Sequence, residues 1–164
     1  MRLRRFGLEL TLPKNARCGR KPIAAMRFVQ TSFILTCLEG LRAAGYRLGV
    51  AGNHFAEFAE RLRDMNLPLD FIGSSDEWGV EKPCPEFFAR IAQVSGVKPS
   101  QIVYVGDRVD NDVLPSKAAG MTSVFLQRGP WGLIHARRPE AAKADMRIDS
   151  LRDLQGVLEK WFSN

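Results

Sequence analysis

Ile102-Val103-Tyr104-Val105-Gly106-Asp107-Arg108-Val109-Asp110-Asn111-Asp112-Val113 is the stretch on which the fold turns. Apolar and aromatic residues run into a glycine, and the carboxylates Asp107, Asp110 and Asp112 follow at once. A buried strand that opens directly into an acidic turn places negative charge at the carboxyl edge of a sheet, where open α/β folds build their sites. Carboxylates crowded there repel one another unless a cation or a lysine compensates. Oxygen-only ligands suit a hard ion such as Mg²⁺. In isolation the pattern reads equally well as a solvated acidic turn, so the surrounding sequence decides.

Outward from this stretch, strand and helix patterns alternate. Phe33–Ala44 has helical spacing, with Leu38 and Leu41 in its apolar set and Gly45 as its stop. Tyr46–Ala51 reads as a short strand, and His54–Met65 as an amphipathic helix carrying Phe55, Phe58, Ala59, Leu62 and Met65. Asp70–Gly73 is a brief strand. Pro85 suits the first turn of a helix that carries Phe87, Phe88, Ile91 and Ala92 and stops near Gly96. After the central strand, Asn111–Ala119 is a helix, Thr122–Leu126 a strand, Met146–Ile148 a last short strand and Leu151–Phe162 a final helix. Arg128–Asp145 is the one long irregular stretch. This alternation predicts an α/β three-layer sandwich: a mostly parallel, doubly wound, Rossmann-like sheet with helices on both faces.

With 164 residues, 45% hydrophobic and 26% charged, the chain is long enough to bury a core and ordinary for a soluble globular domain. It has no apolar run near 18 residues, so no membrane span is expected. Cys18, Cys37 and Cys84 form no metal or redox motif, which points to free thiols in a reducing, cytoplasmic setting. The net charge of +6 is concentrated at one end. Residues 1–32 hold Arg2, Arg4, Arg5, Lys14, Arg17, Arg20, Lys21 and Arg27 against the single acid Glu9. We therefore divide the chain into a basic N-terminal segment, 1–32, and a nearly neutral core domain, 33–164. The segment reads as a solvated arm, as a surface for an acidic partner, or as an organelle transit peptide. No nucleic-acid motif accompanies it, so no nucleic-acid partner is expected.

Two further motifs precede the acidic turn. Glu81-Lys82-Pro83-Cys84-Pro85-Glu86-Phe87-Phe88 sets a lysine in a Pro-flanked loop just before a helix. Leu48-Gly49-Val50-Ala51-Gly52-Asn53 is a strand ending in a small-residue turn. Alone, the first is a surface lysine and the second an ordinary loop.

In this order and spacing, the three motifs resemble the haloacid dehalogenase superfamily, and residues 36–162 resemble its core domain. The resemblance implies the Mg²⁺-dependent phosphatase branch, with a small phosphorylated molecule as ligand. It maps Lys82 onto the lysine that steadies the nucleophile and the phosphoryl charge. Asp107 maps onto the Mg²⁺ ligand, and Asp112 onto the carboxylate that supports the metal's waters or the lysine. Gly52 and Asn53 occupy the phosphate-binding turn, where Gly52 stands in place of the usual hydroxyl residue. Phosphoryl transfer needs positioned charge more than elaborate covalent chemistry, which suits a lysine and a metal ion.

The departures shape the functional expectation. The family opens with a strand ending in D-x-D-x-T, yet the first aspartate here is Asp64. Phe6-Gly7-Leu8-Glu9-Leu10-Thr11-Leu12 resembles a degenerate version, with Gly7 in place of the nucleophile and Glu9 in place of the acid. Loss of a covalent nucleophile costs roughly 10⁶-fold in kcat, about 8 kcal/mol of barrier. Roughly 40 residues separate Thr11 from Gly52, too few for a full cap domain. We expect a hydrolase by lineage that is weakly active or inactive. The alternatives are a non-catalytic binding module on the same scaffold, or an enzyme that uses Glu9 or metal-bound water. A missing strand would expose sheet hydrogen bonds and favour pairing of two copies.

Overall fold

The computed structural model describes residues 24–163, with side chains from residue 34 onward. The N-terminal motif with Gly7 and Glu9, and most of the basic segment, lie outside the described residues.

Helix α1 spans Ala24–Ala43. It starts well before the expected Phe33, because Ala24-Ala25-Met26 are strong helix formers and no proline intervenes after Pro22. Gly45, at φ +88°, supplies the left-handed turn that releases the chain towards the sheet. Then follow β1 (Gly49–Gly52), α2 (Ala56–Asp64), β2 (Phe71–Ser74), the single-turn α3 (Ser75–Trp78) and α4 (Pro85–Ser95). Strand β3 (Val103–Gly106) leads into a π-helical turn, Val109–Val113, and then α5 (Leu114–Ala118). The chain closes with β4 (Thr122–Leu126), α6 (Gly129–His135), β5 (Met146–Ile148) and α7 (Leu154–Phe162).

Among the described residues all strand pairs are parallel. β1 pairs with β2, with Gly52 opposite Ser74. β3 pairs with β4, and β4 with β5, with Gly106 opposite Phe125. Among the described residues the sheet is thus in two parts, β1–β2 and β3–β4–β5. The pleat sends alternate residues to opposite faces. Val103 and Val105 join Leu41, Val124, Leu126, Leu154 and Leu158 beneath α1 and α7. Tyr104 turns the other way, against Phe88 and Ile91 of α4. Helices on both faces make this the expected α/β layered fold.

The stretch expected to be irregular is largely structured: α6 and a 3₁₀ turn, Pro139–Lys143, lie within it. Two glycines and a proline in Gly129-Pro130-Trp131-Gly132 hide the helix from a propensity reading, but Gly132 is required by packing. A Cβ there would lie 2.7 Å from the Leu126 carbonyl oxygen. The expected α-helix at Asn111 likewise begins as the π turn, a distortion common at functional sites.

Asp145 ties the start of β5 to β4. Its carboxylate accepts hydrogen bonds from the backbone N–H and hydroxyl of Ser123, both at 2.8 Å, and pairs with Lys117. Burial opposes the charged form, but Lys117 and the Ser123 donors outweigh it and hold the carboxyl below its usual range. A depressed native pKa contributes stability above the unfolded value, near 3.9, and loses it as pH falls through the folded value. We predict that Asp145→Asn lowers stability at neutral pH and flattens its decline below about pH 4. Urea titrations at several pH values check this; parallel wild-type and variant curves would contradict it.

Candidate active site

The carboxyl ends of β1 and β3 and the loop before α4 bring the sequence motifs together. Lys82 is 3% exposed, too buried for an ammonium without compensation. Its Nζ donates to Asp112 Oδ1 at 2.5 Å, and Asp112 is itself 1% exposed. The other Asp112 oxygen, Oδ2, accepts from the Arg108 backbone N–H at 3.0 Å. Burial alone pulls the Lys82 pKa down, but the charge of Asp112 and the polar Tyr104 nearby reverse this, so the net shift is upward and the ammonium stays charged. This is a buried, charge-assisted pair at the edge where the parallel strands end.

Three local features make the pair. The first is Gly106. A Cβ on it would lie 2.3 Å from the Cβ of Asp112, so only glycine lets the π turn fold Asp112 back over the end of β3. The second is Asn53, just past β1. Its Oδ1 accepts from the Lys82 backbone N–H at 2.7 Å, and its Nδ2 donates to the Lys82 carbonyl at 2.9 Å. The asparagine amide grips the backbone of the lysine on both sides. The third is the sequence Lys82-Pro83-Cys84-Pro85, whose second proline begins α4 and stops the loop from wandering.

Asp107 follows β3 directly and is 4% exposed. Gly52 ends β1 in a buried position. Asp110 differs from its two neighbours. It turns outward to a bidentate pairing with Arg108, both contacts at 3.1 Å, and lies 3.5 Å from Arg138. Glu9 lies outside the described residues.

Two groups at the site are not legible as site residues in the sequence. Tyr104 passes as a core aromatic, yet its ring centroid is 5.8 Å from Lys82 Nζ. Burial and the negative Asp112 push its phenol pKa up, so it remains a protonated hydroxyl. The available signal is a residue with a polar tip inside an otherwise aliphatic strand. His135 lies in the stretch expected to be irregular. It is fully buried, its Nδ1 accepts from the Val109 backbone N–H at 3.0 Å, and it braces the π turn.

Mg²⁺ demands oxygen ligands and usually keeps water, binding through one or two carboxylates plus substrate phosphate. Among the described residues no group of three or more His, Cys, Asp or Glu forms a ready cage. Asp112 is committed to Lys82 and Arg108, and Asp110 to its arginines. Asp107 fits as a single protein ligand at this edge. Lys82, Asp107 and Asp112 together carry about one net negative charge, which repels a phosphate unless a divalent cation joins them.

A buried lysine–aspartate pair thus stands at the carboxyl edge of the parallel strands of an α/β domain. A family model described as haloacid dehalogenase-like hydrolase matches residues 18–120, and the chain belongs to that family. It is 35% identical over 130 residues to a glyceraldehyde 3-phosphate phosphatase of Methanopyrus kandleri, covering 77% of this chain and 55% of that protein. It is 30% identical over 100 residues to a phosphoglycolate phosphatase of Aquifex aeolicus, covering 59% of this chain and 45% of that one. Among solved structures, a HAD phosphatase from Thermococcus onnurineus superposes with a TM-score of 0.65 at 30% identity, over 75% of this chain and 55% of that chain. The chain spans about half the length of the curated relatives it matches.

Proposed function

We propose that this domain is a phosphomonoester site of Mg²⁺-dependent phosphatase lineage with weak or no turnover. The observation that carries this is the buried Lys82–Asp112 pair beside Asp107 at the carboxyl edge of the parallel strands. Lys82 presents its remaining N–H donors to a phosphoryl oxygen, while Asp112 fixes the direction of the ammonium. Asn53 positions Lys82 through its backbone, and the Gly52–Asn53 turn lines the phosphate-binding side. Asp107 would hold Mg²⁺, which when bound neutralises phosphate charge and orients water. The relatives' names make small three-carbon and two-carbon phosphates the substrate class to test.

Weak turnover follows from the chain's chemistry. Its first aspartate is Asp64, so neither Gly7 nor Glu9 supplies the aspartyl nucleophile on which the family's covalent step depends. The same fact favours a second reading, a phosphate-binding module without catalysis.

Calorimetry with inorganic phosphate and Mg²⁺ separates binding from chemistry. The wild-type chain should bind phosphate in a Mg²⁺-dependent manner, and Asp107→Asn should weaken that by tenfold or more. Unchanged binding in this variant would place the ion elsewhere. In a parallel assay with an aryl phosphate, little hydrolysis is expected from wild type and partial gain from Gly7→Asp. Robust wild-type hydrolysis abolished by Glu9→Gln would overturn the low-turnover reading and make Glu9 the reacting group.

A further inference from the structure

Helix α6 has two unlike sides. Gly132 and His135, three positions apart, face inward: Gly132 lies close against the Leu126 carbonyl, and His135 is fully buried. Helical geometry then gives Trp131, Leu133 and Ile134 the outward arc. Their exposures are 39%, 59% and 54%. Single exposed apolar residues are ordinary, but three on one seven-residue helix form a contiguous patch. The core does not need them, because the inward pair already joins α6 to β4 and to the π turn.

A positive rim flanks the patch. From Gln127 to Arg138 the chain holds Arg128, Arg137 and Arg138 and no acid; the next carboxylate is Glu140. Arg128 immediately precedes α6 and Arg137 lies just beyond its end. Both are exposed, and among the described residues neither joins an ion pair. A further arginine, Arg108, sits over the Trp131 ring, its guanidinium 4.7 Å from the centroid. Arg108 and Arg138 share Asp110 between them. The core domain as a whole is nearly neutral, so this excess of positive charge is local to α6.

Such a surface takes an occupant that is apolar at its centre and negative at its edge. Residues 1–23 hold seven basic groups against Glu9 and would meet like charge there. A second copy related by a two-fold axis would bring its own arginines to the contact. A nucleic acid would find only Arg128 and Arg137 free of carboxylates, and Leu133 and Ile134 offer no ring on which bases stack. Binding to a lipid surface scales with the apolar area buried, and three side chains bury little, with Arg108 already over the Trp131 ring. A tryptophan with arginines about it is the composition of a protein–protein hot spot.

We propose that the outward side of α6 docks an acidic amphipathic segment of a partner protein. The segment's apolar side chains cover Trp131, Leu133 and Ile134, and its carboxylates pair with Arg128 and Arg137. The surface meets the phosphate site at one residue. Arg108 lays its guanidinium on Trp131 and gives its backbone N–H to Asp112, so docking is felt along the π turn. The inference concerns a contact surface and stands whether or not the site hydrolyses phosphate.

NMR titration of the full chain tests it. The probe is a synthetic amphipathic helix with leucines at i, i+3, i+4 and i+7 and glutamates elsewhere. Saturable shifts are expected at the Trp131 indole N–H and at the amides of residues 129–138, with smaller ones at Arg108 and Val109. The paired change Leu133→Ser and Ile134→Ser should weaken binding tenfold or more while the rest of the spectrum holds. Arg137→Glu should weaken it several-fold, as should added salt. Absence of saturable shifts, affinity indifferent to the serine pair, or equal binding of oligoglutamate overturns the docking surface. Stronger binding of anionic vesicles or of an oligonucleotide to the same residues overturns it in favour of those partners. Shifts at α6 that grow with protein concentration alone overturn it in favour of a second copy, and NOEs from residues 1–23 to α6 in favour of the chain's own segment. Peptide binding that leaves Arg108 and Val109 unmoved overturns the link to the π turn.

Discussion

Lys82→Met should be among the most damaging single changes in this chain. The substitution keeps much of the side-chain volume but strips Asp112 of its ammonium partner at a site where both side chains are almost fully enclosed. An uncompensated buried charge of this kind typically costs about 3–5 kcal/mol, a large part of the roughly 5–15 kcal/mol that stabilises an ordinary domain. Denaturant titration should show the midpoint falling with little change in slope. Adding Asp112→Leu to Lys82→Met should restore much of the loss, because an apolar pair of similar size removes the stranded charge. Recovery stays incomplete, since the Arg108 N–H then loses its acceptor, at about 1–3 kcal/mol. A double variant no more stable than Lys82→Met would mean that the lysine stem, and not its charge, holds the region together. Phosphate binding should vanish in both variants, which separates the stability role of the pair from its ligand role.

The second large effect is expected at a residue with no side chain. Gly106→Ala adds one methyl group, yet that methyl would sit 2.3 Å from Asp112 Cβ and 2.4 Å from its Cγ. Such contacts force the end of β3 or the π turn to move. Overpacking by a methylene alone costs roughly 1–3 kcal/mol. Here the displaced group is half of the buried ion pair, so the loss should exceed that range. Phosphate and Mg²⁺ binding should fall with stability, because Asp107 is the next residue. Truncation at the preceding strand position, Val105→Ala, should instead cost stability alone, since that side chain packs beneath α1 and α7. A Gly106→Ala protein that binds phosphate normally would show that Asp112 reaches Lys82 by another path.

Much of this site is legible in the chain. The run from Ile102 to Asp112 shows a strand, its end and its acidic turn, because a parallel strand buried on both faces has few compositions open to it. Lys82 is legible through its prolines and its distance from that turn. What stays hidden depends on three-dimensional contact. Nothing in Asn53 says that its amide grips the Lys82 backbone across 29 positions. Tyr104 looks like core packing until Lys82 is seen beside its ring. The π turn at Val109 adds one residue per turn, a local choice set by Asp112 folding back over Gly106 rather than by propensity. Helix α6 is hidden because Gly132 is chosen for its close approach to the chain, against its own helical preference.

The grip of Asn53 on Lys82 has a mechanical side. The asparagine stands at the end of β1, while the lysine's ammonium is anchored to the turn after β3. One lysine residue is therefore held by its backbone from one part of the sheet and by its charge from the other. It works as a rivet through two turns: the one after β1 fixes its backbone and the one after β3 fixes its charge, so the direction of the ammonium is set by both at once.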